Sequence, residues 1–179
     1  MNTALLIIDV QRALCVGQYA AFEIDRVIAT INGLSARARA ACVPVVLVQH
    51  EEPSGEFEYD TESWQLAENL AVAESDIRVR KTTPDSFHRT NLQDVLHSRD
   101  IQRLIVCGLQ TDYCVDTTVR RALALGYQVV LPEDAHSTLD NAAISAPQII
   151  AHHNAVLGSM SSFGVRAQVI PAASVSIQG

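Results

Sequence analysis

The feature that most constrains this chain is an alternation of short aliphatic runs with segments of helical periodicity. The runs are apolar at consecutive positions and too short for helices, which is typical of strands buried on both faces. They lie at 4–8, 45–48, 77–80, 104–107, 129–131 and 167–170. Because strands separated by helices pair in parallel, the pattern predicts an α/β fold. We expect a doubly wound, mostly parallel, six-stranded sheet with helices on both faces.

Helical periodicity is clearest at 24–42, where apolar residues recur at helical spacing until Pro44 stops the helix. The other helical segments lie at 92–96, 113–125 and about 141–157. Pro147 leaves the start of the last helix undefined. No internal repeat or linker rich in Gly, Ser or Pro divides the 179 residues, so 1–179 is expected to be a single domain.

Composition excludes several classes of protein. Hydrophobic residues make up 48% and charged residues 18% of the chain, which excludes a disordered protein. Lys and Arg number 13 against 20 Asp and Glu, so an acidic surface argues against nucleic acid as a partner. No apolar run approaches the about 20 residues of a membrane span, and the N-terminus does not resemble a signal peptide. Four cysteines without a paired spacing indicate free thiols and a cytoplasmic location.

Three chemically reactive side chains follow predicted strands. Asp9 comes directly after the first run, Lys81 after the third, and Cys114 lies in the loop after the fourth. Ligands of such sheets bind at the carboxyl ends of the strands, so these three residues are expected at one rim. Taken singly, Asp9 could be a strand-end cap and Lys81 a solvated charge. Their joint occurrence with a thiol favours a catalytic site.

Cys114 is the sharpest candidate for a nucleophile. With Thr111 or Asp112 as N-cap, it falls in the first turn of a helix, where the helix dipole favours the reactive thiolate. A neighbouring lysine would lower the thiol pKa further, and a carboxylate could take its proton. The structural alternative is a small apolar residue at a helix start. Cys15 is a weaker rival, and a pairing of Cys114 with His136 is a rival chemistry that would leave Lys81 idle.

Four segments carry a resemblance to a known family. They are 5–11, Lys81 with 86–90, 108–115 and 122–135. In this order they resemble the isochorismatase-like cysteine hydrolases, the superfamily that includes nicotinamidases and N-carbamoyl amide hydrolases. The resemblance implies that fold, with a Rossmann-like strand order, and a catalytic triad of Asp9, Lys81 and Cys114.

The resemblance also implies how the site would work. A cis peptide bond between Leu109 and Gln110 would turn the Gln110 N–H inward, where it would form an oxyanion hole with the N–H of Cys114. The implied reaction is hydrolysis of an amide-type C–N bond in a small molecule through a thioester on Cys114. Homo-oligomers, dimers or tetramers, are common in the family, and no cofactor is implied.

Neighbouring residues bear on metal and substrate. We expect no metal site, because His50 lacks the aspartate two residues before it that nicotinamidases use, and adjacent His152 and His153 diverge on a helix. The residues expected to bind substrate are Gln11, His50, Trp64 and Tyr113. The acidic segment 51–62 is either a solvated loop or a lid that selects a cationic or polar substrate.

Three hypotheses of function follow. The first is a cysteine amidohydrolase. The second is a metal-dependent nicotinamidase or an isochorismate-type vinyl-ether hydrolase of the same fold, although isochorismate hydrolases lack the cysteine that Cys114 supplies. The third is a catalytically silent α/β binding protein. No Gly-x-Gly-x-x-Gly or Gly-x-Ser-x-Gly motif supports a nucleotide-binding protein or a serine hydrolase.

Overall fold

A computed structural model describes residues 1–177, in which parallel strands form the centre of the molecule. The strands are β1 (Thr3–Ile8), β2 (Val45–His50), β3 (Ile77–Lys81), β4 (Arg103–Leu109), β5 (Gln128–Pro132), β6 (His136–Ser137) and β7 (Ala167–Ile170). They form one sheet in the order β3-β2-β1-β4-β5-β7, with β6 paired to the end of β4. All six strand pairings of this path and of β6 are parallel. The predicted doubly wound α/β fold is confirmed.

Helices cover both faces of the sheet. They are α1 (Arg12–Cys15), α2 (Ile24–Ala40), α3 (Leu92–His97), α4 (Asp116–Ala124) and α5 (Ala146–Ser159). The apolar side of α2 packs with Leu5 and Ile7 of β1 in one core. Helices α3, α4 and α5 pack with Leu6 and Ile8 in a second core on the opposite face. Every residue of β1 is buried, because consecutive side chains of a strand enter opposite cores.

The structure departs from the sequence prediction at several points. Strands β2, β3, β4 and β5 each extend one or two residues past the predicted end of the run. A seventh strand, β6, is only two residues long and carries no periodic signal. Helix α5 begins at Ala146 because Ser145 forms a capping box with Gln148 and Pro147 occupies the first turn. Cys42 lies beyond the end of α2 and is exposed, whereas the spacing placed it on the buried helical face.

The strand order reverses between β1 and β4, where a crevice opens at the carboxyl ends of the strands. Gly108 of β4 has φ +116°, and a Cβ there would lie 2.1 Å from the carbonyl oxygen of Ile8. Only glycine lets the ends of these two strands approach so closely. This contact brings Asp9 beside the loop that follows β4. Across residues 1–177, no helix combines the length and the apolar character needed to cross a bilayer.

Candidate active site

Three separate elements bring Asp9, Lys81 and Cys114 together. Asp9 follows β1 in a left-handed conformation with φ 52°, and Lys81 is the last residue of β3. Cys114 lies in a π-helical turn, Thr111–Val115, which joins β4 to α4. The Lys81 ammonium donates to Asp9 Oδ2 at 2.7 Å and to Cys114 Sγ at 3.2 Å. The three side chains predicted at one rim therefore lie within mutual reach.

The ammonium of Lys81 is closed off from solvent, with a side-chain exposure of 0%. Its third neighbour is His50, whose Nδ1 lies 3.4 Å from Lys81 Nζ. The other ring nitrogen of His50 lies 3.3 Å from a carboxylate oxygen of Glu52. An ammonium has three N–H donors, and here it faces three acceptors, so its position is well defined.

The protonation of Cys114 differs from the expected thiolate. Burial and the Asp9 carboxylate raise the pKa of Cys114 to about 12, and Lys81 lowers it less than these two raise it. Burial alone would lower the pKa of Lys81, but Asp9 and Cys114 together raise it. In the resting site near neutral pH, the sulfur is therefore a thiol beside a charged ammonium. Asp9 Oδ1 is buried without a hydrogen-bond partner among the described residues, so it is available to accept a proton.

The loop after β4 presents backbone groups to the site. The Leu109–Gln110 peptide bond is cis, as the resemblance implies. The Gln110 carbonyl accepts the N–H groups of Tyr113 at 3.2 Å and Val115 at 3.1 Å. The Gln110 N–H itself finds no acceptor within residues 1–177. Neither Thr111 nor Asp112 caps a helix here: Gln110 precedes the π-helical turn, and no side chain makes a capping bond.

A cleft of about 340 Å³ opens onto this group, and we call it the Cys114 cleft. Its walls are formed by Asp9, Leu14, His50, Glu52, Phe57, Thr82, Pro84, Gln110, Tyr113 and Cys114. The structure thus brings two of the expected substrate-binding residues, His50 and Tyr113, to the nucleophile. Thr82 and Pro84 also line the cleft and were not predicted from the sequence. They follow Lys81 within three residues at the end of a strand, a position that is typical of ligand-binding residues in such sheets.

The other two expected substrate-binding residues lie elsewhere. Gln11 is fully buried, and its side-chain amide donates to the carbonyls of His50 at 3.0 Å and Trp64 at 2.8 Å. It also accepts the backbone N–H of His50 at 2.8 Å. Gln11 therefore holds the end of β2 in place from behind the cleft. Trp64 lines a different groove, together with Tyr59, whose ring centroid lies 4.9 Å from that of Trp64.

The alternative pairing of Cys114 with His136 is contradicted by the structure. His136 is buried, with Nδ1 2.9 Å from Thr111 Oγ1 and Nε2 2.9 Å from Asn154 Oδ1. Both ring nitrogens are therefore engaged away from the sulfur. Burial lowers the pKa of His136 to about 4, so the ring is neutral near neutral pH. Its contact with Thr111 supports the π-helical turn.

The remaining cysteines and histidines lie outside the cleft. Burial, with a smaller contribution from Asp25, raises the pKa of Cys15 to about 12. Burial also raises the pKa of Cys107, which lies within β4. His153 donates through Nδ1 to the carbonyl of Ile149 at 2.9 Å. In the described part of the chain, no three His, Cys, Asp or Glu side chains converge as a metal site requires.

Residues 3–166 match the family description "Isochorismatase domain". The chain belongs to the isochorismatase family. Asp9, Lys81, Cys114 and the loop after β4 all fall within the matched region. The family and its relatives support a hydrolase, and they assign no role to individual residues of this isochorismatase-family chain.

Relatives of this family member include proteins named as hydrolases. A streptothricin hydrolase from Streptomyces noursei is 37% identical over 174 residues, which cover 95% of this chain and 62% of that protein. A ureidoacrylate amidohydrolase from Pseudomonas syringae is 29% identical, covering 75% of this chain and 70% of that one. Among solved structures, an isochorismatase from Pseudomonas putida has a TM-score of 0.90 at 33% identity, covering 98% of this chain and 90% of its own.

Proposed function

We propose that this protein hydrolyses an amide-type C–N bond of a small molecule through a covalent thioester on Cys114. The observation that carries the proposal is the buried ammonium of Lys81, in contact with Asp9 at 2.7 Å and Cys114 at 3.2 Å beside an open cleft. The name of one relative, a streptothricin hydrolase, supports hydrolysis, and that of another, a ureidoacrylate amidohydrolase, supports cleavage of a C–N bond. Since the chain spans 62% of the first of these, its own substrate is part of the proposal.

The first half of the reaction forms the thioester. Asp9 takes the proton of the Cys114 thiol while the sulfur attacks the carbonyl carbon of the amide. The charge of Lys81 stabilises the negative sulfur during the attack. The oxygen of the tetrahedral intermediate is placed beside the N–H groups of Gln110 and Cys114, where an oxyanion hole stabilises the developing charge.

The second half releases the products. Protonated Asp9 gives its proton to the nitrogen of the amide as the C–N bond breaks, and the amine or ammonia leaves. A water molecule then gives a proton to Asp9 and attacks the thioester carbon. The C–S bond breaks, the carboxylic acid departs, and the sulfur regains its proton from Asp9. Lys81 stays protonated throughout, as its raised pKa favours.

The size and charge of the cleft narrow the substrate class. A cleft of about 340 Å³ suits a small molecule. Within the acidic segment 51–62, Glu62 pairs with Arg12 at 2.8 Å and Glu51 with Arg80 at 3.4 Å. Glu52 is the acidic residue of this segment that lines the cleft, so we propose that it favours amides with a cationic or hydrogen-bond-donating group.

Further proposals concern the whole protein. All four cysteines are free thiols, which supports a reducing compartment and the proposed cytoplasmic location. We also propose that residues 1–179 form one domain and that the protein assembles as a dimer or tetramer, as the family resemblance implies.

The test is a panel of small linear and cyclic amides, with release of ammonia or amine as the readout. We expect Cys114→Ala and Cys114→Ser to abolish turnover of any active substrate. Cys42→Ser, which changes an exposed thiol, should retain it. Mass spectrometry of quenched wild-type reactions should find the acyl group on Cys114. Retained turnover in Cys114→Ala would contradict the proposed mechanism.

A second variant tests the role of the ammonium. Lys81→Ala should reduce turnover severely, because it removes the charge that stabilises the sulfur anion. A harmless Lys81→Ala would contradict the proposed triad.

A further inference from the structure

A second concave surface lies on the opposite side of the β2–β3 edge from the Cys114 cleft. Strand β3 is at the edge of the sheet, and Val79 and Lys81 are buried while Arg78 and Arg80 are exposed. A groove of about 720 Å³ runs along these arginines, and we call it the arginine groove. Its lining residues are Gln49, Tyr59, Trp64, Gln65, Arg78, Arg80, Arg89, Thr90 and Asn91. None of them lines the Cys114 cleft.

The groove is positively charged in a chain whose net charge is −7. It contains three of the 13 Lys and Arg residues, and no Asp or Glu is among its lining residues. Arg78 donates to the neutral side chain of Gln49 at 3.0 Å. Arg89 makes no ion pair or side-chain hydrogen bond with residues 1–177, while Arg80 lies 3.4 Å from Glu51. Much of the charge of the groove is therefore uncompensated.

The wall of the groove also includes two aromatic side chains, Tyr59 and Trp64. Trp64 is 8% exposed, and its indole N–H is buried without an acceptor among the described residues. A buried donor without an acceptor is unfavourable, and it lies on a side chain that lines the groove. The ring of Tyr59 meets Trp64 at 4.9 Å and lies under Arg80, whose guanidinium carbon is 4.3 Å from the ring centroid. These contacts hold Arg80 over the groove.

We propose that the arginine groove is a second binding site, for a small molecule or ion that carries a phosphate group. Guanidinium groups bind phosphate oxygens through paired N–H donors, and arginines from β3 and from the loop before α3 converge on one space. Consecutive residues of β2 and β3 face opposite sides, so Gln49 and Arg80 line the groove while His50 and Lys81 face the site of Cys114. The phosphate site is therefore separate from the proposed substrate site.

The test uses the single tryptophan of the chain as a reporter. Wild-type protein is titrated with inorganic phosphate, and Trp64 emission and binding heat are measured at constant ionic strength. We expect saturable binding that chloride does not reproduce. Arg78→Gln and Arg89→Gln should each weaken phosphate binding at least ten-fold. The matched control Arg26→Gln, on the exposed side of α2, should leave it unchanged.

Two further comparisons test whether the arginine groove itself binds the phosphate. Arg89→Gln changes an exposed loop residue, so its loss of binding with unchanged thermal unfolding supports the site directly. Cys114→Ala should bind phosphate as well as wild type, since the two sites are separate. Non-saturable changes, or binding that survives both arginine variants, would overturn the proposal. Saturable binding of succinate without binding of phosphate would also overturn it, in favour of a dicarboxylate.

Discussion

The ammonium of Lys81 sits where a charge is normally unfavourable. Burial alone lowers the pKa of a lysine, because the charged form loses its water. Here the Asp9 carboxylate at 2.7 Å and the sulfur of Cys114 at 3.2 Å reverse that tendency and raise the pKa. The same carboxylate raises the pKa of Cys114. Asp9 therefore acts on two neighbours: it favours the charged form of Lys81 and, added to the larger effect of burial, the neutral thiol of Cys114.

This coupling leads to a prediction for Asp9→Asn. Loss of the carboxylate should lower the pKa of Cys114, since the raising effect of Asp9 disappears and the lowering effect of Lys81 remains. Alkylation of Cys114 by iodoacetamide near neutral pH should become faster than in wild type. Amide turnover should fall by about 10² to 10⁴-fold, because the base that takes the thiol proton is gone. Site-resolved mass spectrometry and ammonia release measure the two effects.

The matched control is Asp25→Asn, which removes a carboxylate that raises the pKa of Cys15. It should leave both the alkylation of Cys114 and the turnover unchanged. If Asp9→Asn instead slowed the alkylation of Cys114, the carboxylate would not be what keeps the resting sulfur protonated.

At the scale of elements, the contact between the ends of β1 and β4 positions the site. Gly108 pairs with Ile8 across this boundary, and its φ of +116° is in a region that favours glycine. Gly108 pairs with Ile8 on one side and with His136 on the other, so the backbone of Ile8 cannot move away from Gly108 without breaking the pairing of β1 and β4. Asp9 follows β1 directly and the π-helical turn follows β4, so the spacing of these strands sets the distance between acid and thiol.

Gly108→Ala should therefore be strongly destabilising. The added methyl group would lie 2.1 Å from the Ile8 carbonyl oxygen, and the residue would also adopt an unfavourable φ. We expect a loss of about 2–6 kcal/mol in the free energy of unfolding, measured by urea denaturation. Gly33→Ala is the control, because Gly33 is exposed in α2 with no atom near the new methyl group. It should be neutral or stabilise by up to about 1 kcal/mol. A well-tolerated Gly108→Ala would contradict the close approach of the two strands.

At the scale of the whole molecule, the sheet separates two cores. Ile31 of α2 belongs to one core, and Leu123 of α4 belongs to the other. The four central strands, β2, β1, β4 and β5, are buried between the two cores. The two faces are therefore expected to respond to substitutions independently.

A double-mutant cycle tests this independence. Ile31→Val should cost about 0.5–1.5 kcal/mol of unfolding free energy, and Leu123→Ala about 2–5 kcal/mol. The double variant should equal the sum within about 0.5 kcal/mol in urea denaturation. Val119→Ala combined with Leu123→Ala is the matched comparison, since both side chains lie in one core and should deviate from additivity. Strong coupling between Ile31 and Leu123 would mean that the sheet transmits packing changes between its faces.

Local patterns predicted much of this architecture. The consecutive apolar residues of β1, the helical spacing of α2 and the positions directly after the strands are properties of neighbouring residues. They were sufficient for the strand positions, the doubly wound sheet and the placing of Asp9, Lys81 and Cys114 at one rim. The strand β6 was not predicted, because a strand of two residues shows no periodicity in the sequence.

The tertiary structure alone decided what depends on distance and burial between residues far apart in the chain. The pKa of Cys114 is set by its burial and by a carboxylate 105 positions away in the sequence, which no local pattern reveals. The buried side chain of Gln11 donates to the backbone carbonyl of Trp64 and does not line the cleft. Trp64 lines the arginine groove and not the Cys114 cleft. Local apolar patterns located the strands of the main sheet to within one or two residues of their ends. Packing across the sheet determined which side each residue at the strand ends faces and which proton it holds.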